Sequence, residues 1–225
     1  MSDLPTAAAP DGSPVAPYLL LPAKDEVALI HHTLPERAMV LDLGCGTGRV
    51  SRELAKLGHI VYAVDQSRDM IEHAPPCKGV EFVCADIEDL DVGMLFDGVV
   101  LASYLVNVTD SVKRSQFLDT CRRHVSPKGV VLIQRLDPQT IWAKGAESTF
   151  GSVGVRLVSA TVHDQILDAT IEYRIDGQIF TQLVLAEILD DQSMMDALGS
   201  AGLGLDRFLD EQRTWVAARP MTMAQ

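Results

Sequence analysis

Val40-Leu41-Asp42-Leu43-Gly44-Cys45-Gly46-Thr47-Gly48-Arg49 is the stretch that decides the fold. An apolar strand, 40–43, feeds a glycine-rich turn, and 50–57 continues as a helix. Such a joint offers backbone N–H groups at a helix N-terminus to a small ligand. Glycine lets the chain turn tightly and lets a ligand reach the backbone. The next apolar segment, 60–64, closes on a second acid, Asp65. That is about 20 residues past the first glycine, where a carboxylate can reach a ribose. The spacing separates two ligand classes. A dinucleotide turn wants glycine at the first, third and sixth positions. Counting from Gly44, the sixth position is Arg49, so the dinucleotide pattern fails.

Outward from this joint, strands and helices alternate. A helix is predicted over 24–34, then strands at 40–43, 60–64, 80–84, 96–102 and 130–136. Between them lie helices at 50–57, from Ser67 to about His73, and from an Asp110 or Ser111 cap to Val125. Val112, Leu118, Cys121 and Val125 are the predicted buried side of that last helix. Ser126 to Gly129 reads as a turn. Apolar, β-branched strands alternating with helices mean an α/β, doubly wound, mostly parallel sheet covered on both faces.

The pattern then changes. Segments 153–163, 165–175 and 178–189 alternate as antiparallel strands, with Asp176-Gly177 as a hairpin turn. They form a three-stranded insert after the fifth strand. A helix around 194–198 and a strand pair, 205–209 and 214–218, complete a seven-stranded Rossmann-like sheet. The organisation expected is a flexible proline-rich leader, 1–22, one domain over 23–220, and a tail, 221–225.

With 225 residues and 47% apolar content the chain has a proper core. No apolar run approaches the ~18 residues of a membrane span, and the N-terminus lacks a signal pattern. The four cysteines, Cys45, Cys77, Cys84 and Cys121, show no metal spacing and read as reduced thiols of a cytoplasmic protein. The net charge of −12 argues against nucleic acid as a partner.

What stands from Asp42 to Gly48 is acid-x-Gly-x-Gly-x-Gly. It resembles motif I of the class I S-adenosylmethionine-dependent methyltransferases, and the resemblance extends over nearly the whole chain from about residue 24. It implies that Asp42, Gly44, Cys45, Gly46, Thr47 and Gly48 hold the amino acid end of S-adenosylmethionine. Asp65, with Gln66 beside it, would bind the ribose hydroxyls. Asp86 would accept from the adenine amino group, Ile87 would pack on the base, and Met70 would cover it. Equally, Asp86 can cap a turn and Met70 can be plain core. Leu101, Ala102 and Ser103 would line the methionine portion. Asp42, Asp65, Asp86 and Ser103 all fall at carboxyl ends of strands, where open parallel sheets bind ligands.

Residues after the fourth strand face the substrate in this family; here they are Tyr104-Leu105-Val106-Asn107. No Asn/Asp-Pro-Pro-aromatic motif stands there, which counts against DNA amines and protein glutamine as acceptors. Tyr104 and Asn107 are candidates for substrate contact. His31, on the leading helix, is a candidate base, as is His163 on the insert, and Tyr18 is a candidate lid residue. Asp110 and Asp137 are explained by capping and turns, so no metal is expected. The insert resembles that of bacterial secondary-metabolite methyltransferases, including deoxysugar amine dimethyltransferases. There it roofs the pocket or forms a dimer contact, so a small-molecule substrate and a homodimer are the expected partners. The implied chemistry is displacement of a sulfonium methyl by an oxygen, nitrogen or carbon nucleophile, with S-adenosylhomocysteine as product. The alternatives are non-methylating chemistry on the same scaffold, cyclisation or isomerisation, and a methyltransferase-like binding protein.

Overall fold

A computed structural model describes residues 4–23, 25–140 and 144–221. Lys24, the first residue of a predicted helix, and most of the predicted tail lie outside them. In chain order the helices are α1 (Val15–Leu20), α2 (Asp25–Thr33), α3 (Arg49–Lys56), α4 (Arg68–His73), α5 (Ser111–His124) and α6 (Asp191–Ser200). The strands are β1 (Met39–Leu43), β2 (Ile60–Asp65), β3 (Val80–Cys84), β4 (Phe96–Leu101) and β5 (Val125–Gln134). They continue with β6 (Glu147–Phe150), β7 (Val153–His163), β8 (Ile166–Ile175), β9 (Gln178–Glu187), β10 (Leu203–Phe208) and β11 (Trp215–Pro220).

The main sheet has seven strands in the order β10-β11-β5-β4-β1-β2-β3. Strands β1 to β5 pair in parallel; β11 runs against both β5 and β10. Strand order reverses between β1 and β4, so their carboxyl ends open a crevice there. Alternation sorts the side chains to two faces. Leu41, Leu43, Val99 and Leu101 join α5 and α6 through Phe117, Leu118, Met194 and Leu198. Val40, Val61, Val100 and Leu132 join α2 and α3 through Val27, Ile30, Val50 and Leu54. Side chains fix the helix starts as expected. Ser67 Oγ accepts from the Met70 N–H at 3.2 Å, and Asp110 Oδ1 accepts from the Val112 N–H at 2.9 Å. Asp137 Oδ1 closes a turn on the Gln139 N–H at 2.8 Å.

Four local expectations change. Val112 is exposed, and the buried side of α5 is Arg114, Phe117, Leu118 and Cys121. Those four obey i, i+3, i+4, i+7, and Val112 lies about 200° from Arg114 on the helix wheel. The predicted turn at Ser126 to Gly129 is an irregularity inside β5, between the pairs Phe96↔Val125 and Gly98↔Val130. Gly129 allows it, because a Cβ there would sit 2.9 Å from the carbonyl oxygens of Phe96 and Asp97. A fourth strand, β6, joins the three expected, and together they form a separate antiparallel sheet ordered β6-β7-β8-β9. The proline-rich leader contains α1, with Val15, Ala16 and Pro17 buried. Pro17 fits because first-turn N–H groups have no helical acceptor.

At the amino edge of the sheet, His59 is buried. Its Nδ1 accepts from the Ala38 N–H at 3.2 Å, which places the proton on Nε2, facing His31 Nδ1 at 2.8 Å. Burial, then the neighbouring His31, holds the His59 pKa below its ordinary 6.5. A buried base with a lowered pKa contributes stability that is present above 6.5 and is lost as pH falls toward the folded-state value. Thermal melts should therefore show stability falling between pH 7 and 5. A His59→Gln variant should flatten that slope, and an unchanged slope would remove His59 as its source.

Candidate functional site

A cavity of about 460 Å³ opens at the carboxyl ends of β1, β2 and β4. Its floor is the glycine turn, one wall is the loop after β4, and its roof is the inner face of β8 and β9. The leader closes the remaining side through Ala9, Asp11, Ser13 and Tyr18. This volume lies within the usual range for small-ligand sites.

The backbone of the turn is engaged internally. The Gly44 and Cys45 N–H groups both donate to the Val64 carbonyl, at 2.8 and 2.9 Å. The Gly48 N–H donates to the Cys45 carbonyl at 2.9 Å, and the Gly46 N–H to Asp65 Oδ2 at 2.8 Å. The sequence expectation of a ligand seated on these N–H groups is thus corrected: four of them already have acceptors. A pyrophosphate would find few donors here and several carboxylates.

The three glycines differ in purpose. All have positive φ, which glycine adopts without strain. A Cβ on Gly44 would sit 2.2 Å from Leu105, and one on Gly48 would sit 2.4 Å from Phe82. Those two permit close packing. A Cβ on Gly46 would meet only Met70 and Tyr18, each at 4.0 Å, and would project into the cavity between them. Gly46→Ala should therefore leave the melting temperature within a few degrees while weakening binding of an adenosine ligand about tenfold. Gly44→Ala should instead lower the melting temperature, and paired melts and titrations separate the two effects.

Asp65 sits at the end of β2 with both oxygens engaged, Oδ2 by Gly46 and Oδ1 by the Ser67 N–H at 2.8 Å. Burial raises its pKa, opposed by those two N–H groups. Asp42 is buried and accepts from Ser51 Oγ; burial pushes its carboxyl up to about 6. Burial also raises the Cys45 thiol well above its ordinary value, so it stays neutral. Gln66, Met70, Ile87 and Ser103 line the cavity as well. Thr47 lines it, but its hydroxyl donates to the Tyr18 carbonyl at 2.8 Å and anchors the leader.

Several expected residues stand elsewhere. Asp86 is exposed and outside the lining, because the chain turns outward after β3 and presents Ile87 and Glu88 instead. Leu101 points into the helix-covered core, and its neighbour Ala102 reaches the cavity. Gly48 is packed under Phe82. His31 sits against His59 at the opposite edge of the sheet. Each helical residue advances about 1.5 Å, so α2, which starts near the turn, has carried His31 away from it. His163 is on the exposed β7–β8 turn beside Asp164.

Beyond β4, Ser103 and Tyr104 both adopt left-handed backbone, φ 54° and 63°, which L residues enter at some strain. The Ser103 N–H is held by Gln134 Oε1 at 2.9 Å. Tyr104 lines the cavity and is 45% exposed; loss of hydration around its hydroxyl raises its pKa, so the hydroxyl stays protonated. Asn107 is buried and its amide is a clip: Nδ2 donates to the Glu187 carbonyl at 2.7 Å, and Oδ1 accepts from the Leu136 N–H at 2.9 Å. It holds the roof to β5, so its amide is already engaged although the residue lines the cavity as a substrate contact would. Arg114 supports the same corner, donating to the Val106 and Val108 carbonyls and pairing with Glu187.

A second group was missed from the sequence. Gln182 on β9 accepts from Tyr173 at 2.8 Å and Tyr18 at 3.4 Å, and donates to Ser13 Oγ at 2.8 Å. Ser13 in turn donates to Asp11. This chain ties the leader to the roof over the turn. Its only signal was a glutamine in register with the inward-facing Val184 and Ala186 of β9.

Residues 40–129 match the methyltransferase domain family. That match, over about two fifths of the chain, supports a class I S-adenosylmethionine-dependent methyltransferase. The match covers the glycine turn, the acids and the loop after β4. Cypemycin N-terminal methyltransferase from Streptomyces sp is 34% identical over 136 residues, 58% of this chain and 55% of that protein. A ubiquinone biosynthesis O-methyltransferase of Bradyrhizobium diazoefficiens is 30% identical over 103 residues, 44% of this chain and 40% of that protein. The chain thus spans about half the length of these curated relatives. The whole fold is similar to S-adenosylmethionine-bound CalS10, an amino pentose methyltransferase from Micromonospora echinaspora. That likeness has a TM-score of 0.67 at 20% identity, over 86% of this chain and 88% of that one.

The cavity brings acids together at the turn. Asp42 and Asp65 line the cavity there, and Asp11 lies close enough to Asp65 to oppose its ionisation. The cations in the lining, Arg49 and Lys113, are paired with Glu26 and Glu88. The turn end therefore suits a cationic nucleoside better than an anion. Among the described residues no helix is long and apolar enough to cross a membrane.

Proposed function

We propose that this domain binds S-adenosylmethionine on the glycine turn and transfers its methyl group to a small molecule held under the β8–β9 roof. The observation that carries this reading is one continuous cavity, acidic at the turn and apolar beneath the roof. Asp65 takes the ribose hydroxyls, since each carboxylate oxygen keeps a lone pair beyond its backbone N–H. Met70 and Ile87 enclose the base, and Gly46, Cys45 and Asp42 receive the amino acid end. The cofactor, when bound, supplies a methyl activated by its positive sulfur. The protein aligns the nucleophile and excludes water.

The nucleophile favoured is one that needs no base from the protein. None of the six histidines of the chain lines the cavity. Glu88 is held by Lys113 at 2.9 Å, and Tyr104 stays protonated. A neutral nitrogen meets this condition. Its lone pair forms the new bond to carbon as the carbon–sulfur bond breaks with its electrons left on sulfur, and the surplus proton leaves the product for water. A role in secondary metabolism is supported by the relation to the cypemycin enzyme. A homodimer is supported by the exposed row Ile179, Leu183 and Leu185 on β9, an edge strand. A monomer mass by sedimentation would overturn the dimer.

The test is incubation with S-adenosylmethionine and a panel of small amines, phenols and carbon acids, followed by mass spectrometry. A methylated product with S-adenosylhomocysteine released is the expected result. A product of unchanged mass with the cofactor intact would replace transfer by rearrangement on the same scaffold.

A further inference from the structure

The roof half of the cavity is walled by Phe117, Leu136, Leu167, Ala169, Val184 and Ala186. Four of these, with Ile188, make a separate apolar cluster under the second sheet, against which Val184 also packs. Two polar side chains of the lining, Asn107 and Glu88, have partners already. The Asn107 amide holds Leu136 and Glu187, and Glu88 is paired with Lys113. Tyr18, Tyr173, Gln182 and Asp11 gather instead around the leader and the turn. The chamber beyond the methyl-donating end therefore offers carbon surface and few open hydrogen-bond partners.

We propose that the acceptor presents an aryl or alkyl body to this chamber and is not a polyhydroxylated sugar. The proposal rests on the reading of the cavity as a methyl-transfer site. A sugar entering the chamber would leave hydroxyls that have lost water and found no partner. Each such hydroxyl lowers affinity roughly ten- to hundredfold. An apolar body of similar size gains with every carbon removed from water. The chamber also favours the uncharged form of a bound amine, because burial disfavours the ammonium. This separates the chain from the sugar amine enzymes whose fold it shares.

The test uses the full chain loaded with S-adenosylhomocysteine and the fluorescent apolar amine N-phenyl-1-naphthylamine. Enhanced, blue-shifted emission should report its entry. 2-Phenylethylamine should displace it at concentrations at least about tenfold below those at which glucosamine does. Ala169→Phe fills the chamber and should weaken the probe about tenfold or more while leaving S-adenosylhomocysteine affinity within about twofold. If that variant does not fold, Val184→Asn at the partly buried wall should weaken the probe in the same direction. No enhancement in the loaded protein, or displacement by glucosamine at the lower concentration, overturns the proposal. Failure of S-adenosylhomocysteine to bind the unaltered chain is a separate result, and it overturns the methyl-transfer reading itself.

Discussion

Asp65→Ala weakens S-adenosylmethionine binding by a factor of about 100 or more in a calorimetric titration, with the fold retained. Asp65 is the one carboxylate at the strand ends that faces the cavity while also fixing the turn. It binds the Gly46 N–H on one side and the Ser67 N–H on the other. On the proposed reading its remaining lone pairs accept from two ribose hydroxyls. Hydrogen bonds to a charged group contribute about 1.5–3 kcal/mol each, so losing two gives roughly 10²- to 10⁴-fold. Asp65→Asn keeps one acceptor and should fall between the two. An affinity within threefold of the unaltered chain would remove the ribose role from Asp65.

Asn107→Leu lowers the melting temperature by about 10 °C. The substitution leaves the Leu136 N–H and the Glu187 carbonyl without the partners they have now. Asn107 is fully buried, so water cannot replace the amide without rearrangement. Two such groups cost about 4 kcal/mol together, and a chain of this size loses roughly 2–4 °C per kcal/mol. A conserved melting temperature with lost turnover would instead return Asn107 to the substrate-contacting role its position in sequence suggests.

The main sheet was legible because its central strands are buried on both faces and helices α4 and α5 carry their own caps. Val40, Val61 and Val99 needed no tertiary knowledge to be read as strands, nor did Ser67 and Asp110 to be read as caps. What failed depended on local chemistry without a strong pattern. Strand β6 is exposed along its length and shows no alternation. The α1 helix was hidden by prolines that the first turn tolerates.

The site divides the same way. Gly46, Asp65, Met70 and Ile87 line one cavity, as expected, because strand ends of a parallel sheet converge by topology alone. Tyr173 and Gln182 were not, because only the folding of the second sheet over the turn brings them there. His31 was misassigned for the converse reason: proximity to the turn along the chain says nothing about which edge of the sheet a helix reaches. Asp86 shows that an acid near a strand end can still face outward when one residue separates it from the strand.

The most direct measurement is a calorimetric titration of the full chain with S-adenosylmethionine and, separately, with S-adenosylhomocysteine and NADH. The account predicts one saturable site for each adenosyl sulfur compound at micromolar concentrations and no heat from the dinucleotide. Binding of NADH with no response to either sulfur compound would contradict it.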